Sequence, residues 1–277
     1  MAISKISVMS RHASGNEVKT LQHIASIVLV LAFSATASAS FAQAAENRDA
    51  NVGKSWEEAT VLVPGRIFSI APHKVNVDKP LPVVIYMHGC TGITADHDLR
   101  WGHFIKGLGF IAILPDSMAR PGRRQNCDPR TRSGGAFPQA HAMRQEEIRY
   151  ALEQIKKSRW ADSKNVYLMG HSEGGQAAAR NKLGEFRGVI ISGWTCTQAD
   201  DPDRDGIFAP LDTPILALEW DRDPWRVGRP SEGSCANKFG ERKKARQVLF
   251  SGSEHATYDQ AEARSAVAQF LKENLAP

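Results

Sequence analysis

Ser172 lies in Gly170-His171-Ser172-Glu173-Gly174, a G-x-S-x-G run whose glycines leave room for a sharp turn on either side of the serine. Apolar Val166-Tyr167-Leu168-Met169 precedes it and Gln176-Ala177-Ala178-Ala179 follows, so the spacing predicts strand, tight turn and helix in that order. A serine held in such a turn presents its hydroxyl at the end of a strand, where it can attack an acyl carbon. The hydroxyl is a weak nucleophile until a base takes its proton, and that base is usually a histidine oriented by a carboxylate. Downstream of Ser172 the chain has one histidine, His255, in a Gly/Ser-rich stretch just after an apolar run. Glu219, Asp221 and Asp223 follow another apolar run and compete for the acid. Asp223 is favoured because Asp223-Pro224 begins a turn from which a carboxylate can reach back, and Asp221 stays as the alternative.

Attack on a carbonyl also needs donors for the oxygen that becomes charged. The N–H of Glu173, next after the nucleophile, is one expected donor, and its backbone role requires no particular side chain. The second is expected from His88-Gly89-Cys90-Thr91-Gly92, and the N–H of Cys90 is nominated. His88 is read as a structural or hydrogen-bonding residue.

Other residues carry two readings each. Trp194, Trp220 and Trp225 lie near expected strand ends and either line an aromatic pocket or pack in the core. The stretch from Arg120 to Arg132 holds Arg123 and Arg124, which either grip an anionic substrate or belong to a solvated loop pinned by Cys127. Asp201, Asp203, Asp205 and Gly206, with Asp212 further on, follow the phasing of a calcium loop, though aspartate stands where the usual bidentate glutamate belongs. An acidic surface turn is the competing account. No other cofactor motif and no Cys/His spacing for a metal is present.

These residues need a frame. Leu81–Met87 and Phe110–Leu114 are near-continuous apolar runs, as are Val166–Met169, Gly188–Ile191, Pro214–Leu218 and Gln247–Phe250. Such runs fit strands covered on both faces. Helical periodicity marks Ala140–Lys157 and Ala261–Leu275 between and after them. Earlier, Ala59–Val63 and Arg66–Ile70 flank Pro64-Gly65 and read as a hairpin. The alternation predicts an α/β domain with a mostly parallel sheet and helices on both faces. Ligands then bind beyond the carboxyl ends of the strands.

Taken together, Pro82–Cys90, Gly170–Gly175, Asp223-Pro224-Trp225 and the late His255 resemble an α/β-hydrolase of the dienelactone-hydrolase-like group, over roughly Val61 to the C-terminus. The chain departs from classical dienelactone hydrolases in having serine as the nucleophile and in its Arg-rich insertion. The resemblance implies an α/β-hydrolase fold and a carboxylic-ester hydrolase acting on a small-molecule or polymeric ester. A peptidase or amidase with the same triad, and a non-catalytic ligand-binding relative, are the alternatives.

Residues 24–33 form an apolar run broken only by Ser26, with Lys19 before it and Ala42-Gln43-Ala44 after it. That is the layout of a signal peptide over residues 1–44, leaving residues 45–277 as one catalytic domain in the periplasm or secreted, without a membrane span. Export makes the four cysteines better candidates for bridges than for free thiols. Of three possible pairings, Cys90 with Cys127 and Cys196 with Cys235 would each tie loops at the active-site end of the sheet. The formal charge is +5 for the whole chain and +3 without residues 1–44, too mild to argue for nucleic acid.

Overall fold

A computed structural model describes residues 47–134 and 138–277. The expected signal segment and its cleavage site lie outside the described residues. Contacts divide the chain after Ala50, and residues 47–50 are helical. The larger unit, from Asn51 onward, holds the site.

Its described residues form nine strands: β1 (Thr60–Leu62), β2 (Leu81–Met87), β3 (Ile111–Leu114), β4 (Cys127–Asp128), β5 (Ser133–Gly134), β6 (Ala161–His171), β7 (Val189–Ser192), β8 (Ile215–Trp220) and β9 (Ala245–Phe250). The first described helix, α1, covers residues 47–57, followed by α2 (Asp98–Gly107), α3 (Pro138–Lys157), α4 (Glu173–Ala179) and α5 (Ala261–Glu273). Seven strands form one sheet in the order β1-β3-β2-β6-β7-β8-β9, while β4 and β5 pair separately. Within the main sheet only β1 is antiparallel to its neighbour.

Strand periodicity divides the core into two layers. Val83, Ile85, Met87, Leu168 and Ile191 point to one face, where Ile148, Leu152 and Ile155 of α3 and Ala177–Ala179 of α4 cover them. Val84, Tyr86, Tyr167, Met169 and Ile190 point to the other, under Trp101 and Ile105 of α2 and Val267, Phe270 and Leu271 of α5. Burial on both faces is why the strand sequences lack polar alternation. This is the α/β-hydrolase architecture.

The expected hairpin is corrected. β1 forms, but residues 66–70 make no strand and meet it at a single bridge, Val61 to Ile70. Ile67 and Phe68 are 79% and 80% exposed, because neighbouring apolar residues would point to opposite faces and no element covers this turn. β1 instead pairs with β3 and closes one edge of the sheet. Helix α2 has no counterpart among the elements expected from sequence.

The chain has both bridges in the favoured pairing, Cys90–Cys127 and Cys196–Cys235. The first joins the loop after β2 to β4, and the second joins the loop after β7 to the short 3-10 turn Cys235–Lys238 beyond β8. Among the described residues no helix is long and apolar enough to cross a membrane.

Candidate active site

Ser172 follows the last residue of β6 and caps α4 with φ +56° and ψ −115°, a conformation few side chains adopt. The surroundings over-determine it. Ser172 N–H donates to the Ser192 carbonyl at 2.9 Å, and the Ser172 carbonyl accepts from Gln176 N–H at 2.9 Å. The flanking glycines are required by close approach of backbone. A Cβ on Gly170 would stand 2.0 Å from the Gly174 carbonyl oxygen, and one on Gly174 would stand 1.9 Å from that of Met87.

His255 and Asp223 reach this point from loops after β9 and β8. His255 Nδ1 lies 2.6 Å from Asp223 Oδ2, while Asp223 Oδ1 accepts from Trp225 N–H at 2.9 Å. Burial opposes ionisation of Asp223, but the hydrogen bond and charge of His255, with Arg226 nearby, hold its carboxyl below the ordinary 3.8. The carboxylate fixes the ring so that Nε2 faces away from it. Nε2 is buried and has no hydrogen-bond partner among the described residues, and Ser172 and His255 line the same cleft of about 340 Å³. Burial lowers the His255 pKa below 6.5. The bond to Asp223 raises it again, and Arg226 and His97 add to the lowering. The competing acids are engaged elsewhere: Asp221 is exposed and accepts from Gly252 N–H, and buried Glu219 accepts from Cys235 N–H. Burial pushes Glu219 up to about 8, against the pull of that hydrogen bond.

Two further histidines pack beside His255. The His171 ring stands 3.9 Å from that of His97 and 4.7 Å from that of His255, and its Nδ1 lies 3.0 Å from Ser192 Oγ. Burial, with His97 next, holds the His171 pKa well below its ordinary value, so the ring is neutral.

The side chain of Glu173 departs from the sequence reading. It is buried, and its carboxylate accepts from Arg144 Nε at 3.0 Å and from Asn126 Nδ2 at 2.9 Å, with Arg123 Nη2 as a third donor. Burial works against its charge, and Arg144 and Arg123 outweigh that and keep the pKa below 4.5. Arg123 is therefore corrected as a substrate contact. A carboxylate buried beside Ser172 needs a charged partner, and Arg123 supplies one while its Nε donates to Ser117 Oγ at 3.1 Å. Arg124 is exposed and lines neither pocket at Ser172, so it too is corrected. His88 is fully buried, with Nε2 accepting from Ser117 N–H at 3.1 Å, and burial lowers its pKa to about 3.

A second recess of about 190 Å³ opens from Ser172 on the other side of Trp225, lined by Gln176, Trp194, Gln198, Arg204, Arg226 and Arg229 among others. Trp194 and Trp225 are thus pocket residues, while Trp220 packs on Phe250. Arg226 stacks over Trp194 at 4.5 Å and donates to the Gly193 carbonyl at 3.1 Å. Sequence reasoning missed Arg144, Arg204, Arg226 and Arg229. Arg144 alone left a signal, because it falls on the buried stripe of α3 with Ala140, Ile148, Ala151 and Ile155.

The calcium-loop residues are not brought together. Asp201 pairs with Arg204 and Asp205 with Lys238 at 2.8 Å. Asp203 lines a groove with Arg180 and Lys182, and Asp212 lines a separate recess with Lys244. Among the described residues no group of three or more His, Cys, Asp or Glu is placed to hold a metal ion.

A search of curated proteins finds no match. Solved structures of similar fold include an S-formylglutathione hydrolase from Agrobacterium tumefaciens (15% identity, TM-score 0.56, covering 79% of this chain and 90% of that one). A hyperthermophilic esterase from Pyrobaculum calidifontis shares 18% identity at a TM-score of 0.51, with 83% and 90% covered. Est1E from Butyrivibrio proteoclasticus shares 18% at 0.50, with 78% and 93% covered. At these identities the likeness concerns the fold. The sequence model of the dienelactone hydrolase family matches residues 68–272, and the chain belongs to that family.

Proposed function

We propose that the protein hydrolyses carboxylic esters through an acyl-enzyme on Ser172, with His255 as the base and Asp223 orienting it. The observation that carries this reading is the Asp223–His255 pair at 2.6 Å, with Nε2 unpartnered in the cleft that Ser172 lines. In the first half-reaction Ser172 Oγ attacks the acyl carbon while His255 Nε2 takes its proton. The oxygen that becomes negative is met by the N–H groups of Glu173 and Cys90. The C–O bond to the alcohol then breaks, and His255 returns the proton to the leaving oxygen. Water repeats the sequence on the acyl-enzyme and releases the acid. Solved esterases of the same fold support the reaction class.

The recess beside Trp194 fits the acyl side of a substrate carrying an anionic group, since Arg226 and Arg229 line it opposite Asp200, while Arg204 is already paired with Asp201. The substrate grip that the sequence suggested for Arg123 and Arg124 thus passes to other arginines. The apolar segment before residue 45 and the disulfides support export to an oxidising compartment.

The test is turnover of p-nitrophenyl acetate, a p-nitrophenyl monoester of a dicarboxylic acid, and the matching anilides, by the parent and Ser172→Ala. The expected result is ester hydrolysis lost in the variant, with anilides cleaved far more slowly. Arg229→Gln should raise KM for the anionic ester about tenfold, as loss of one charged hydrogen bond does, with the acetate unaffected. Faster cleavage of anilides would make the protein an amidase, and no turnover of either would favour a binding role.

A further inference from the structure

Arg144 is fully buried on α3, and its guanidinium touches both segments that flank Ser172. Nε donates to Glu173 Oε1 at 3.0 Å. Nη2 donates to the His88 carbonyl at 2.6 Å and to the Gly89 carbonyl at 3.2 Å. Nη1 meets Glu147 Oε2 at 3.3 Å. A planar guanidinium sets the directions of its bonds as well as their lengths, which a flexible ammonium does not.

The Gly89 contact decides where the next N–H points. The Gly89 carbonyl and the Cys90 N–H are the two ends of one peptide plane, and no described peptide bond is cis. In a trans peptide they point in opposite directions. Arg144 and His88 Nδ1, the latter at 2.7 Å, both hold the oxygen end. The N–H end is therefore turned away from the buried arginine. This peptide lies against the nucleophile, since a Cβ on Gly89 would come 3.6 Å from Ser172 Cβ. A second tie runs through the Arg-rich loop: Asn126 holds Glu173, and its neighbour Cys127 is bonded to Cys90.

We propose that Arg144 is a positioning residue of the oxyanion hole, orienting the Gly89–Cys90 peptide by its carbonyl and holding it in register with Glu173. The proposal rests on the hydrolase reading above. It gives the buried Glu173 carboxylate a purpose, as the anchor that aligns one donor segment with the other. It also assigns Arg123 and Asn126 of the Arg-rich loop to the back of the hole, while Pro129 and Arg132 of the same loop line the cleft.

The test compares Arg144→Lys and His88→Ala with the parent and Ser172→Ala, using p-nitrophenyl acetate as substrate and phenylboronic acid as an inhibitor that forms a tetrahedral anion on the serine. Arg144→Lys keeps a charge for Glu173 and Glu147 but loses the fork. His88→Ala removes a second side-chain grip on the Gly89 carbonyl, which also accepts from Gly92 N–H at 3.4 Å, without removing a charge from the cluster. The expected result for each is a kcat lower by about 10- to 100-fold, up to the loss seen when an oxyanion donor is removed, with KM within about threefold. Phenylboronic acid should weaken in proportion to kcat/KM. A purely structural role would instead lower Tm and leave kcat near the parent's at temperatures where the variant is folded. Folded variants with kcat within about threefold of the parent overturn the proposal, as does a fall in kcat without weaker boronate binding. If Arg144→Lys does not fold, His88→Ala decides by the same criteria. A parent without Ser172-dependent turnover overturns the hydrolase reading and the positioning role with it. A parent that turns over beside unaffected variants overturns the positioning role alone.

Discussion

In the proposed reaction His255 takes a proton from Ser172, which it can do only while its ring is neutral. Burial holds its pKa below 6.5, Arg226 and His97 act in the same direction, and Asp223 alone among the strong influences acts against them. The sign of the pH effect follows. Activity is lost as pH falls through the His255 pKa, so the acid limb of kcat/KM for a neutral ester should lie below pH 6.5. Arg226→Gln removes a cation that disfavours the protonated ring and should move the limb upward. A pH–rate profile checks both: a parent limb above 6.5 would contradict the first, and a limb unmoved in Arg226→Gln the second. That Ser172, His255 and Asp223 come together was legible in sequence because a motif, a lone histidine and a turn-forming Asp-Pro each mark a position along the chain. The ionic cluster at Glu173 was not, because its partners come from 29 and 50 residues away, and pairings over such separations are set by packing.

The turn between β6 and α4 is the element on which the site depends. Its glycines are places where two backbones nearly touch, so a methyl group there meets carbonyl oxygens that cannot move without breaking β2 or α4. Gly174→Ala should therefore destabilise the protein by more than about 4 kcal/mol, among the largest effects of a single substitution. Soluble yield and thermal unfolding by circular dichroism measure it, and a variant within a few degrees of the parent's Tm would contradict the geometry. The same scale explains what sequence could and could not place. β2, β3, β7, β8 and the second half of β6 are buried on both faces and legible as apolar runs, while the half-buried edge strand β9 shows one only over Val248–Phe250. α2 begins Asp-Leu-Arg-Trp-Gly-His and has too few apolar residues for a clear periodicity, although Trp101 and Ile105 bury it firmly. The segment after Pro64-Gly65 had strand-forming residues, yet it meets the outer edge of β1 only at the Val61–Ile70 bridge, and its Ile67 and Phe68 are left exposed.

Across the molecule, the parallel sheet brings residues from distant parts of the sequence to one edge. Cys90 follows β2, Ser172 follows β6, Asp223 follows β8 and His255 follows β9. Two recesses meet at Ser172 and Trp225, one lined by His97 and His255, the other by arginines. Their division matches an ester with separate acid and alcohol parts. The disulfides fasten loops at this same edge, as suits the proposed export to an oxidising compartment. The most direct test of an activated serine is labelling of the protein by a fluorophosphonate probe, with the adduct located by peptide mass spectrometry, beside Ser172→Ala and His255→Ala. The account predicts a single adduct on Ser172 in the parent and none in either variant. A folded parent that stays unlabelled, or one labelled equally well without His255, would contradict it.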